Sequence, residues 1–176
     1  MQADSRLTGA GGVGQRLSMS SAITIRRATA GDLQAIVFLW QELMDFHKQR
    51  DPHYTRAADG AARFREFLGG HVASKDSCVL VAVHGRLIIG YCLATLVQLP
   101  LVFAERVHGD VFDLSVTASY RRRGVGEKLF AAAQAWFKSR GVRRMETRVA
   151  TTNEVSTGFW RKMGFRPYAA QVFKNL

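Results

Sequence analysis

One stretch constrains this chain more than any other: Val111-Phe-Asp-Leu-Ser-Val116, then Thr117-Ala-Ser-Tyr120, then Arg121-Arg-Arg-Gly124-Val-Gly126. A β-prone run leads into a basic glycine turn, and the turn opens a long amphipathic helix over residues 124–140. Val125, Leu129, Ala132, Ala133, Trp136 and Phe137 fall on one face of that helix. Such a helix must bury its stripe against a sheet, which places the chain among mixed α/β folds. The turn also has a chemistry. The first helical N–H groups lack partners inside the helix and carry the positive end of its dipole. Gly124 and Gly126 let a ligand approach the backbone closely, and Arg121, Arg122 and Arg123 add cationic donors. The pattern is an anion site of the kind that suits phosphate. No G-x-x-x-x-G-K-[ST] occurs, so a Walker loop is excluded.

The rest of the pattern fills in around it. Residues 23–28 predict a first strand, and Thr29-Ala-Gly-Asp32 reads as a capping box ahead of a helix over 33–50. Asp51-Pro52 stops that helix. A second helix is expected over 58–75, interrupted in its second half by Gly69-Gly70. Strands at 78–83 and 87–97 flank His84-Gly85 as a hairpin. Further strands are expected at 111–116, 143–150 and 165–173, with a short helix over 154–162. The expected fold is α/β in the α+β sense, a single domain over 23–176. Residues 1–22 are Gly/Ser-rich and are expected to be a disordered extension. Their GAGGVG matches G-x-G-x-x-G literally, but no strand leads into it, so it reads as linker.

Net charge is +11, and residues 121–176 hold 13 basic against 3 acidic side chains. That field attracts an anionic partner. Nucleic acid is not expected, because no helix-turn-helix, zinc spacing or aromatic-basic interleaving accompanies the charge. The two cysteines, Cys78 and Cys92, fit neither a disulfide framework nor a metal site. No metal, no membrane span and a cytoplasmic location are the expectations.

A second block sharpens the reading: Asn153, then Phe159-Trp160-Arg-Lys162-Met-Gly164-Phe165. The two blocks, in this order and spacing, resemble the GCN5-related N-acetyltransferase (GNAT) family over residues 23–176. The resemblance implies a mostly antiparallel sheet whose central parallel strands splay, about four helices, and acetyl-CoA (coenzyme A) as cofactor. It implies that the pyrophosphate lies on the amides from Arg121 to Glu127, including Val125, and that the pantetheine arm pairs with Leu114, Ser115 and Val116. Asn153 matches a position that typically contacts the cofactor.

The implied reaction is direct attack of a primary amine on the thioester. A base must take the amine's proton, and Asp113 and Glu105 are the two candidates, with His108 a weaker third. A backbone N–H between Leu114 and Val116 would polarise the carbonyl. The family usually has Tyr at the position of Trp160, and indole cannot replace a phenol as general acid. Ser156, one turn before Trp160, is expected to line the pocket, and Ser156 and Tyr168 are poor substitutes for the acid. The departure at Trp160 leaves a second reading, a CoA-binding module without turnover. Only one strand can follow Phe165, so the acceptor site is expected on residues 47–54 and 98–108, with Glu42, Asp45, Asp51 and Glu105 nearby. The unpaired terminal strand and the apolar Leu99-Pro-Leu-Val-Phe103 loop predict a homodimer.

Overall fold

A computed structural model of the chain describes residues 22–175. The expectations for residues 1–21 lie outside them. The elements in chain order are β1 (Thr24–Arg27), α1 (Leu33–Lys48), α2 (Gly60–Ala73), β2 (Ser77–His84), β3 (Leu87–Gln98), β4 (Val107–Val116), α3 (Val125–Ser139), β5 (Met145–Glu146) and α4 (Glu154–Lys162). The strands form one sheet in the order β1-β2-β3-β4-β5. All neighbours are antiparallel except β4 and β5, which run parallel.

Helices cover both faces, and β2 shows why its sequence is an unbroken apolar run. Cys78, Leu80 and Ala82 point into a core shared with Val125, Leu129, Phe130, Ala133 and Phe137 of α3. Val79 and Val81 point into a second core with Ile36, Val37 and Leu39 of α1 and Phe64 and Leu68 of α2. A strand buried on both sides needs no polar alternation. Gly69 and Gly70 do not interrupt α2. A Cβ on Gly69 would stand 3.8 Å from Leu33 Cδ1, so the small residue sits where the two helices approach.

Three expectations needed correction. β4 begins at Val107, four residues before the apolar run. Gly109 belongs in it because Phe137 of α3 packs over that position, where a Cβ would stand 2.5 Å from the ring. In the expected 143–150 strand only Met145 and Glu146 pair, with Gly109 and Asp110. The last strand, 165–173, is not formed: residues 165–175 carry no strand. Pro167 cannot donate to a ladder, and a two-residue β5 offers almost no edge to join.

Candidate active site

The short β5 creates the site. β4 continues past its last parallel partner, Asp110, to Val116. Among the described residues no strand pairs with its β5-facing edge from Val111 onward; Thr147 Oγ1 donates to Val111 O at 2.9 Å and Arg121 Nε to Val116 O at 2.8 Å. This is the splay between the central strands. Leu114, Ser115 and Val116 lie along it, with Ser115 buried.

A bulge shapes the same stretch. Leu93 pairs with Asp113 and Ala94 with Val111, so Phe112 has no opposite number. The extra residue turns two consecutive side chains to one face. Phe112 meets the Phe67 ring of α2 at 5.6 Å. Asp113 accepts a 2.9 Å hydrogen bond from the Tyr91 hydroxyl, and Tyr91 belongs to the α1/α2 core. Burial pushes the Asp113 carboxyl up to about 7, opposed by the Tyr91 bond and reinforced by the nearby charge of Asp110. A carboxylate with that value exchanges protons at neutral pH.

At the end of β4 a one-turn 3-10 helix, Ala118–Tyr120, leads into the basic turn. Arg121 is occupied structurally. Its Nε donates to Val116 O at 2.8 Å, and its NH2 reaches Glu42 of α1 at 3.1 Å. Glu42 also accepts from the Ala118 amide at 3.0 Å. Arg121 ties the turn to α1, while Arg122 and Arg123 are exposed. Arg123 lies 5.2 Å over the Tyr120 ring, whose hydroxyl meets His84 Nδ1 at 2.8 Å.

The backbone of the turn is left-handed twice, at Arg122 (φ 61°) and at Gly124 (φ 75°). A non-glycine residue there costs about 1–2 kcal/mol. Alternating hands of this kind gather backbone N–H groups into a concave nest for an anion. No side chain caps the start of α3. Gly124 faces open space, whereas a Cβ on Gly126 would meet the Phe159 ring at 3.3 Å and Leu114 at 3.6 Å. Gly126 therefore lets α4 close onto α3 and β4. Glu127 completes that contact through an ion pair with Lys162.

On α4, Asn153 is buried and its Oδ1 accepts from the Ser156 amide at 3.1 Å, capping the helix. Trp160 is buried edge-on against Phe130, Phe159 and Phe165. Ser156 is half-buried.

The structure separates the two candidate bases. Glu105 is exposed in the β3–β4 loop and reaches Arg143 at 3.6 Å. Strand rise alone puts the start of β4 about 20 Å from Asp113. His108 also lies near that start, its Nε2 3.8 Å from Glu146 and its Nδ1 buried without a hydrogen-bond partner among the described residues. The acidic residues expected to greet an acceptor are engaged elsewhere: Glu42 with Arg121, Asp45 with Arg56 and Asp51 with the His53 amide. Asp110 is the carboxylate whose charge reaches Asp113 and helps to raise it. Sequence reasoning missed Tyr91 and the bulge. The apolar pair Val111-Phe112, which breaks strict alternation, was the available signal.

Residues 36–165 match the acetyltransferase (GNAT) family. The chain belongs to that family. It is 31% identical over 74 residues to the aminoglycoside N(6')-acetyltransferase type 1 of Salmonella typhimurium, a stretch covering 42% of this chain and 46% of that one. The chain thus aligns with about half the length of the curated relatives it matches. Its structure is similar to that of a tetramutant of the BH1408 protein from Bacillus halodurans, with TM-score 0.76 and 26% identity over 87% of this chain and 99% of the other. It also shares its fold with an aminoglycoside N-acetyltransferase, AAC(6')-Iy, solved with CoA, at TM-score 0.70 and 20% identity over 91% and 98% of the two chains. Among the described residues, no helix is long and apolar enough to cross a membrane.

Proposed function

We propose that this chain is an N-acetyltransferase that moves the acetyl group of acetyl-CoA to a primary amine on a cationic acceptor. The observation that carries the reading is Asp113, a carboxyl pushed up to about 7, held at a bulge beside the open edge of β4. The chain fits the cofactor on three counts: the left-handed Arg122 and Gly124 turn, the uncapped start of α3, and the unpaired edge from Val111 to Val116. The amides from Arg122 through Gly124, Val125, Gly126 and Glu127 hold the pyrophosphate, with Arg122 and Arg123 adding charge. Leu114, Ser115 and Val116 pair with the pantetheine arm. Asn153 and Ser156 border that arm, and Trp160 supports it from behind through the aromatic cluster.

Acetyl-CoA, when bound, supplies an acetyl thioester. Asp113 takes a proton from the incoming ammonium and leaves an amine with a free lone pair. The β4 amides between Leu114 and Val116 offer donors to a carbonyl lying along that edge. Trp160 is closed into its aromatic cluster and serves as packing, and its indole N–H is no proton donor for a leaving thiolate. Asp110 and Asp113 give the acceptor side a negative field, and the similarity to an aminoglycoside acetyltransferase supports an aminoglycoside-like polyamine as acceptor. Thiol release from acetyl-CoA, measured with sisomicin and with spermidine, tests this. Absence of thiol release with either amine, in protein that binds CoA, overturns the reading.

A homodimer belongs to the same proposal. Leu101 and Val102 in the β3–β4 loop are 77% and 84% exposed, and Tyr168, Val172 and Phe173 near the C-terminus are 83–87% exposed. A second copy that covers these side chains removes large apolar area from water. Sedimentation at micromolar concentration is expected to give twice the chain mass, reduced to one by Leu101→Asp with Phe173→Asp.

A further inference from the structure

We infer that Tyr91 is a positioning residue for the acetyl-transfer base: its hydroxyl anchors one oxygen of Asp113 and leaves the other free to meet the acceptor amine. The inference rests on the reading of Asp113 as the base. The geometry behind it is tertiary. Tyr91 lies on β3 opposite Ser115, two pairs beyond the Leu93–Asp113 pair that flanks the bulge, and is fully buried. Its hydroxyl donates to Asp113 Oδ2 at 2.9 Å. Without the bulge at Phe112, Asp113 would point toward α3 and the bond could not form. A buried phenol cannot touch an acceptor, so it acts through the carboxylate it holds.

Toward the ionised carboxylate the hydroxyl can only donate. Burial and the neighbouring Asp113 charge raise the Tyr91 phenol well above its ordinary value, so it keeps its proton. During transfer one N–H bond of the ammonium breaks and an O–H bond forms on Asp113 Oδ1, while Tyr91 loses nothing. Two further groups act on the pair. Asp110 on β4 opposes ionisation of Asp113, and Cys92 on β3 remains a thiol because burial raises it. On α1, Glu42 is tied to Arg121 and Ala118. On α2, His71 Nδ1 is engaged with Ser77 Oγ at 2.7 Å.

The test is Tyr91→Phe, which keeps the ring and deletes only the hydroxyl. Carbon-detected NMR of the Asp113 carboxyl is expected to show its titration midpoint moving upward by about one unit, since a donor to the carboxylate has been lost. With sisomicin as acceptor, the acid limb of the pH–rate profile moves up by the same amount. The rate then falls about tenfold below pH 7 and recovers above pH 8.5, with KM for acetyl-CoA unchanged. A folded Tyr91→Phe protein with an unmoved Asp113 titration overturns the inference. Asp113→Asn separates the two failures. If that variant keeps its rate, the base assignment falls; if it loses its rate while the Tyr91→Phe profile is unmoved, only the role of Tyr91 falls. Should Tyr91→Phe lose its fold, fluorotyrosine incorporation makes the hydroxyl a stronger donor and is expected to move the Asp113 midpoint downward, and an unmoved midpoint overturns the inference.

Discussion

Two strand-to-helix corners in this molecule use the same ingredients to opposite ends. At the β1–α1 corner, Arg26 grips Asp32 through two hydrogen bonds of 2.7 and 2.8 Å, and Asp32 Oδ2 accepts from the Thr29 amide at 2.7 Å. The carboxyl is held well below the usual range, first by Arg26. At the β4–α3 corner, Asp113 has no arginine, Arg121 is turned back on Val116 and Glu42, and α3 begins without a side-chain cap. The first corner pairs its own carboxylate with Arg26 and the Thr29 amide and so contributes stability. The second leaves a raised carboxyl and a nest of free N–H groups, which is what a ligand site requires.

Removing the second carboxylate tests the contrast most severely. Asp113→Asn should lower kcat about 10²–10⁴-fold, read by thiol release at saturating acetyl-CoA. The same change should raise stability at pH 8 by about 1–2 kcal/mol, measured by urea unfolding. The sign follows from the raised folded value of about 7. An ionised Asp113 opposes folding, so wild-type stability falls as pH rises from about 4 to 7, and Asn removes that fall. An equal unfolding midpoint at about pH 4 and a higher one at pH 8 is the expected pair of results.

Next is the turn itself. Gly124→Val places a β-branched residue at φ 75°, with nothing within 4 Å to clash. Affinity for CoA should drop about 10–100-fold by calorimetry, because the strained turn swings its amides away. Binding in the wild type should weaken as salt is raised. Gly126→Val is a poorer probe, since its side chain would push against Phe159 and disturb α4.

The first corner should respond in stability alone. Asp32→Ala is expected to cost about 1–2 kcal/mol at pH 7 with kcat unchanged. Here the folded value is depressed, so the stabilisation is present above about pH 4 and is lost as the pH falls, the reverse of Asp113. The smallest effect belongs to Trp160→Tyr. Because Trp160 is buried against three aromatic rings, the phenol should change kcat by less than about threefold. A collapse of rate in Trp160→Phe with CoA still bound would give the indole N–H a role that packing does not explain.

The anion turn, the hairpin and the capping box were legible because each is local. The capping box is formed as Thr29 and Asp32 predict, and Gly124 is left-handed as a glycine at a helix start permits. The extent of the strands was less legible. Alternation gave no reason to extend β4 back through His108-Gly109-Asp110, because only packing against Phe137 explains the glycine. Alternation also favoured a strand over 165–173, where Tyr168 and Val172 are exposed and no partner edge exists. A strand needs a neighbour, and the neighbour is not written in the segment itself.

The same division holds at the site. By itself the sequence determined the family, the glycine turn that opens α3 and the presence of a carboxylate on the strand before it, since these rest on residue types at short spacing. Only the tertiary structure decided which carboxylate stands at the open edge and which arginine is used up. Asp113 and Glu105 look alike in sequence, but one is turned inward by a bulge onto Tyr91 and the other ends exposed beside Arg143. A bulge depends on the register of two strands, and an ion pair such as Arg121–Glu42 joins residues 79 apart. Both arise from long-range packing, which local spacing cannot encode.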